Sequence, residues 1–138
     1  MLVLDNSMFV SAIFGDEKHP FAVTLYQLIL EDEEHVKVPY IFLYEACNVI
    51  LISARRKRIT EKNKQDYLKI IYSFPIQIDH NQPIQDVVKL ASKHNLALYD
   101  ALYLELAKRE SLPLATFDNA LLVAAKKEKI SILNPTIN

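Results

Sequence analysis

Short apolar runs alternate along this chain with longer stretches of helical period, a pattern that predicts an α/β domain around a parallel sheet. Leu2 to Leu4 are apolar at successive positions, as in a short central strand covered on both faces, and Asp5 stands at the carboxyl end. Asn6 or Ser7 can cap a first helix through Phe14, with Gly15, the single glycine, suited to a left-handed stop. Pro20 fits the first turn of a second helix to about Glu33, and Val36 to Val38 read as a second strand. A third helix, Ile41 to Arg56, is apolar nearly all round, the mark of a buried helix. Thr60 can cap a fourth helix to about Tyr72, Pro75 to Ile78 form a third strand, and Pro83 opens a fifth helix. Leu96 to Glu110 read as a sixth helix, with Tyr99, Tyr103 and Leu106 at apolar positions and Glu105, Lys108 and Arg109 outside. Leu112 to Thr116 make a fourth strand, in which Pro113 is tolerable only near a strand start or edge. Asp118 can cap a seventh helix, and Ile130 to Leu133 supply a last strand before Pro135.

A chain of 138 residues, 51% hydrophobic, suffices for one sizeable core, so a single domain over 1–138 is expected. Lys plus Arg number 16 and Asp plus Glu 17, a net charge of −1, so any grip on nucleic acid must come from a local basic patch. Cys47 is the only cysteine, which excludes an internal disulfide and fits a reducing, cytoplasmic setting. The N-terminus lacks a basic leader region, and the longest apolar stretch, Ile41 to Ala54, is broken by Glu45 and Asn48, so neither a secretory signal nor a membrane span is expected. One glycine cannot build a P-loop or a dinucleotide fingerprint.

The candidate chemistry lies in four carboxylates. Asp5 and Asp118 each follow a strand, where ligands of open α/β sheets collect, although each alone also reads as a turn or cap aspartate. Glu45 lies inside the most hydrophobic helix with Ile41, Asn48 and Ile52 on its face, a place charged residues avoid unless paired, and no cation is visible on that face. Asn48, one turn on, is placed to orient Glu45 or a bound water. Asp100 shares its helix face with Tyr103, Leu104 and Ala107; the helix dipole explains its place in the first turn but not its inward direction. Carboxylates gathered in one pocket raise one another's pKa until a positive charge compensates, and a hard divalent cation does this best. Mg²⁺ or Mn²⁺ held this way would orient and deprotonate an attacking water and neutralise charge on a phosphodiester.

Four segments, VLDNSMFV, VPYIFLYEACNVI, LALYDALYLELAK and LATFDNALLVAAKK, carry a family resemblance. In this order and over almost the whole chain they resemble the PIN-domain nucleases, and in size most closely the VapC-type toxins of toxin–antitoxin pairs. The resemblance implies a parallel sheet of four or five strands flanked by helices, a metal site of Asp5, Glu45, Asp100 and Asp118, and cleavage of RNA leaving a 5′-phosphate. It also implies Ser7 and Thr116 as groups that orient the carboxylates, frequent homodimers, and an antitoxin partner. Such an antitoxin would lay an amphipathic segment near Phe14, Phe21 and Leu25 and extend a cation into the anionic site. Asn6 stands where the family more often has a small residue. A stand-alone RNA-processing nuclease and a non-catalytic PIN-like binding module are the alternatives.

Other signals add less. The basic run Arg55, Arg56, Lys57 and Arg58 complements a helix dipole or grips RNA phosphates beside the site. The four histidines have no zinc spacing, Cys47 reads as a buried small hydrophobe, and most tyrosines sit at core periodicity. A haloacid-dehalogenase-like phosphatase would need a second aspartate where Ser7 stands.

Overall fold

A computed structural model describes residues 1–14, 18–81 and 83–133. Five strands, β1 (Leu2–Leu4), β2 (Val36–Pro39), β3 (Gln77–Asp79), β4 (Leu114–Ala115) and β5 (Ile132–Leu133), form one sheet in the order β3-β2-β1-β4-β5. Every neighbouring pair is parallel, with Leu2 opposite Val36 and Leu4 opposite Ala115. The described residues also form seven helices: α1 (Asn6–Ile13), α2 (Pro20–Leu30), α3 (Phe42–Arg55), α4 (Glu61–Ser73), α5 (Ile84–His94), α6 (Leu98–Glu110) and α7 (Asn119–Lys127). The α/β architecture expected from the hydrophobic pattern is therefore the one observed. Strands accumulate from β1 outward to β3 and then from β4 to β5 on the other side. The order thus reverses between β1 and β4, the kind of switch point beyond whose carboxyl ends open sheets bind ligands.

Local signals set most boundaries. Thr60 Oγ1 accepts from Asn63 N at 3.1 Å and caps α4, while Asp118 Oδ1 accepts from Leu121 N at 2.9 Å and caps α7. Pro113 precedes β4, so its missing N–H breaks no ladder bond of that central strand. The N-cap of α1 is Asp5 and not Asn6 or Ser7, because the extended backbone of β1 runs through Asp5 and the helix begins at once. α2 stops at Leu30, short of Glu33, where Asp32 turns into the left-handed region at φ 62°. Gly15 and Pro135 lie outside the described residues.

The core centres on β1, whose three residues are at most 2% exposed, and on an aromatic cluster in which the Phe9 ring lies 5.2 Å from Phe42 and 4.7 Å from Phe74. Phe9 belongs to α1 and Phe42 opens α3, so this packing fixes the two helices that follow Asp5 and carry Glu45. Two burial expectations fail. α3 is not enclosed: Phe42, Ala46, Ile50 and Ser53 face inward, but Tyr44 is 74% exposed, because the outer apolar side of the helix borders an open groove. In α6, Tyr99 is exposed while Glu105 is buried, since Arg109 bonds Glu105 Oε1 at 2.7 Å and Asp79 Oδ2 at 2.6 Å and so compensates both acids.

Candidate active site

Asp5 is the buried anchor of the site. Its backbone N–H still belongs to the sheet, donating to the Ala115 carbonyl at 2.9 Å, so the side chain leaves β1 beside the end of β4. The carboxylate makes no cap bond; instead the hydroxyls of Ser7 and Thr116 both donate to Oδ2, each at 2.7 Å. Those hydroxyls are themselves fixed, because Ser7 Oγ accepts from Phe117 N at 3.1 Å and Thr116 Oγ1 from Asp118 N at 3.0 Å. The turn after β4 is thereby tied to the first turn of α1. Burial raises the pKa of Asp5, the two hydroxyls pull it back, and the charge of Asp118 raises it again.

Glu45, in the first turn of α3, is half-buried and accepts a hydrogen bond at Oε1 from the Tyr103 hydroxyl at 2.5 Å. Its pKa is raised by burial and then by the charges of Asp5 and Asp100. Asp100, half-buried in the first turn of α6, is raised by burial and by Asp118 and Asp5. Asp118 completes the group while also capping α7, so its cap role and its place in the site coexist. Asp118 acts on Asp5 and Asp100, and Asp5 and Asp100 act on Glu45, so the four carboxylates read from sequence share one electrostatic neighbourhood near the β1/β4 switch point. Among the described residues none of the four is paired with a cation.

No three His, Cys, Asp or Glu side chains of the described residues form a ready cage for a metal ion. The donor set nevertheless fits a hard, partly hydrated cation: it is all oxygen, and Mg²⁺ is ordinarily held by one or two carboxylates with waters completing its shell. A buried acceptor without a hydrogen-bond partner, Asn6 Oδ1, follows Asp5 directly and is free to accept a hydrogen bond from such a water. Asp5, Glu45, Asp100 and Asp118 are the residues that would hold the ion.

The other sequence candidates are placed as follows. Asn48 is exposed on the groove wall that also carries Glu45, and the side-chain donor bonded to Glu45 is Tyr103. Tyr103 was legible only as a core tyrosine, although its spacing of three from Asp100 put it on the same face. Asn6, read as a departure from the family pattern, is buried, and its amide donates to the Phe42 carbonyl at 3.0 Å. Arg55, Arg56, Lys57 and Arg58 are exposed at the far end of α3, about 15 Å along the helix from Glu45 at 1.5 Å per residue. Leu25 is buried in the core, which removes it from the expected antitoxin groove, and Phe14 stacks on Tyr67 with ring centres 5.3 Å apart. Cys47 is partly exposed rather than enclosed.

Comparison with known proteins bears on the fold and the family. The chain is 29% identical over 102 residues to Exonuclease VapC9 of Pyrobaculum aerophilum, covering 73% of this chain and 75% of the relative. Its fold is similar to the crystal structure of PAE2754 from Pyrobaculum aerophilum, with a TM-score of 0.70 and 24% identity over 89% of this chain and 84% of that one. It is likewise similar to FitAcB from Neisseria gonorrhoeae, with a TM-score of 0.69 and 21% identity over 99% of both chains. The family model of the PIN domain matches residues 2–127, and with that span the chain belongs to the PIN domain family.

Proposed function

We propose that this PIN domain is a metal-dependent endoribonuclease that cuts single-stranded RNA, acting as the toxin of a toxin–antitoxin pair. The observation that carries the proposal is the convergence of Asp5, Glu45, Asp100 and Asp118 with no cation among the described residues to compensate them. Bound Mg²⁺ or Mn²⁺ would supply the positive charge that activates water and shields the phosphate. The chain supplies the rest: Ser7 and Thr116 fix Asp5, the cap bond fixes Asp118, and the rigid first turns of α3 and α6 present Glu45 and Asp100. Cutting within a strand is favoured by the open groove of about 980 Å³ that has Glu45 on its wall, a shape that needs no free RNA end. The relative named an exonuclease supports nuclease chemistry and sets the competing mode.

Circular and linear single-stranded RNA distinguish the two modes, because only an endonuclease opens a circle. Cleavage is expected with Mg²⁺ or Mn²⁺, absent with EDTA, and abolished in Asp5→Asn and Asp100→Asn, both of which should fold. Cleavage retained in both variants would refute the site.

Two partners belong to the same reading. An exposed apolar face runs from the groove, through Tyr40 and Tyr99, to Ile84 and Leu98, and self-association is the occupant suited to so apolar a patch. The antitoxin reading rests on the resemblance to VapC-type toxins, and growth arrest by this chain alone with rescue by its genomic neighbour would bear it out. Harmless expression of an RNA-cleaving enzyme would favour a stand-alone processing role.

A further inference from the structure

Glu45 has the longest side chain of the four carboxylates, and holding it in one rotamer opposes the rotamer freedom of that chain. It is also pushed away from the group it must join, since Asp5 and Asp100 repel it. A lysine or arginine would hold it firmly but would neutralise the charge that attracts a metal ion. The structure uses a neutral donor instead. Tyr103 is fully buried within α6, and its hydroxyl, which needs a partner once buried, finds Glu45 Oε1. Asn6 acts on the backbone of the same helix. Its amide donates to the carbonyl of Phe42, three residues before Glu45, at 3.0 Å, and so ties the start of α3 to the residue that follows Asp5.

We infer that Tyr103 and Asn6 are positioning residues that hold the Glu45 carboxylate in register with Asp5 and Asp100, an inference that rests on the metal-site reading above. Asn6 follows Asp5 directly in the chain, and Tyr103 follows Asp100 by one turn. Each therefore ties Glu45 to the element bearing another carboxylate, and neither adds charge. Ser7 and Thr116 treat Asp5 in the same way, so neutral side-chain hydroxyls hold both Asp5 and Glu45.

The test is Mn²⁺ binding to the full chain, followed by titration calorimetry and by the spin-resonance signal of free Mn²⁺, with urea unfolding measured in parallel. Tyr103→Phe keeps the ring that packs the core and removes only the hydroxyl, and it is expected to weaken Mn²⁺ binding about tenfold. In a Glu45→Ala background the same change should alter affinity by less than about twofold, because its acceptor is gone. Asn6→Ala should weaken binding in the same direction and provides a second variant should Tyr103→Phe fold poorly. Equal losses with and without Glu45, or wild-type affinity in both single variants, would overturn the inference. A wild-type chain that takes up no Mn²⁺ would instead overturn the metal-site reading on which it rests.

Discussion

Replacing Thr116 by valine removes a hydroxyl at almost constant volume from a side chain that is 0% exposed, so no cavity enters the balance. Two bonds are lost. The donation to Asp5 Oδ2 at 2.7 Å is a bond to a charged acceptor, a kind that stabilises by about 1.5–3 kcal/mol, and the Asp118 N–H loses its acceptor, for about 1 kcal/mol more. The expected destabilisation at pH 8 is therefore about 2.5–4 kcal/mol in urea unfolding of the metal-free protein. Its pH dependence follows from Asp5. Burial already raises that carboxyl above its ordinary value, and removing a donor raises it further, so the variant's native state holds a proton more tightly than the wild type's. The loss is then full above the folded pKa values and shrinks as pH falls below them, where the neutral carboxyl no longer needs the donor. Thr116→Ser keeps the hydroxyl and should recover most of the difference. A loss below about 1 kcal/mol at pH 8, or one unchanged between pH 8 and pH 4, would refute the idea that Thr116 supports an ionised Asp5.

Replacing Arg55, Arg56 and Arg58 together by alanine should weaken RNA binding and reduce the slope of log affinity against log salt by up to about 2, at about 0.7 per phosphate contact on a single strand, with Mn²⁺ affinity unchanged. An unaltered slope would return these residues to a purely solvated role. Glu128, held by Lys108, Lys93 and His94, has its pKa lowered to about 2, so its stabilisation is present above the ordinary carboxylate range and is lost as pH falls from about 4.5 toward 2. Because Lys93 and Lys108 are more than half exposed, solvent screening leaves about 1–2 kcal/mol for Glu128→Gln to remove at pH 7, and wild type and variant should converge near pH 2.

The strands and helices were legible because each carries its own period and its own stop: an apolar triplet before Asp5, proline at the start of α2, Thr60 and Asp118 at caps. The four carboxylates were legible because each violates its surroundings, Glu45 in an apolar helix most plainly. What the sequence concealed depends on pairs distant along the chain. Glu105 looked solvent-facing because its compensation includes an arginine shared with Asp79, which only the docking of α6 against the sheet brings near. Tyr103 looked like packing because a buried phenol shows its purpose only when its acceptor, 58 residues away, is in place. The apolar outer side of α3 looked buried because hydrophobicity alone cannot separate a face covered by its own chain from one left open.

The distribution of positive charge explains why this set of acids differs from the rest. Arg109 serves Asp79 and Glu105, Lys37 serves Glu110, and Lys93, Lys108 and His94 serve Glu128, so the other buried or partly buried acids named here have partners within the fold. Among the described residues no ion pair reaches Asp5, Glu45, Asp100 or Asp118, and hydroxyl, phenol and backbone N–H donors stand there instead. Glu128 and Glu45 carry the same functional group, yet the first is driven to about 2 while the second is driven above its ordinary value. A fold that compensates acids elsewhere but leaves one group uncompensated at its topological switch point stores an unfavourable charge where an added cation gains most. The same imbalance predicts that neutralising Asp5 should stabilise the metal-free chain relative to wild type at neutral pH, provided the replacement asparagine still accepts from Ser7 and Thr116. Asp5→Asn unfolding at lower urea than wild type, with both free of metal, would show that the repulsion is too weak to count.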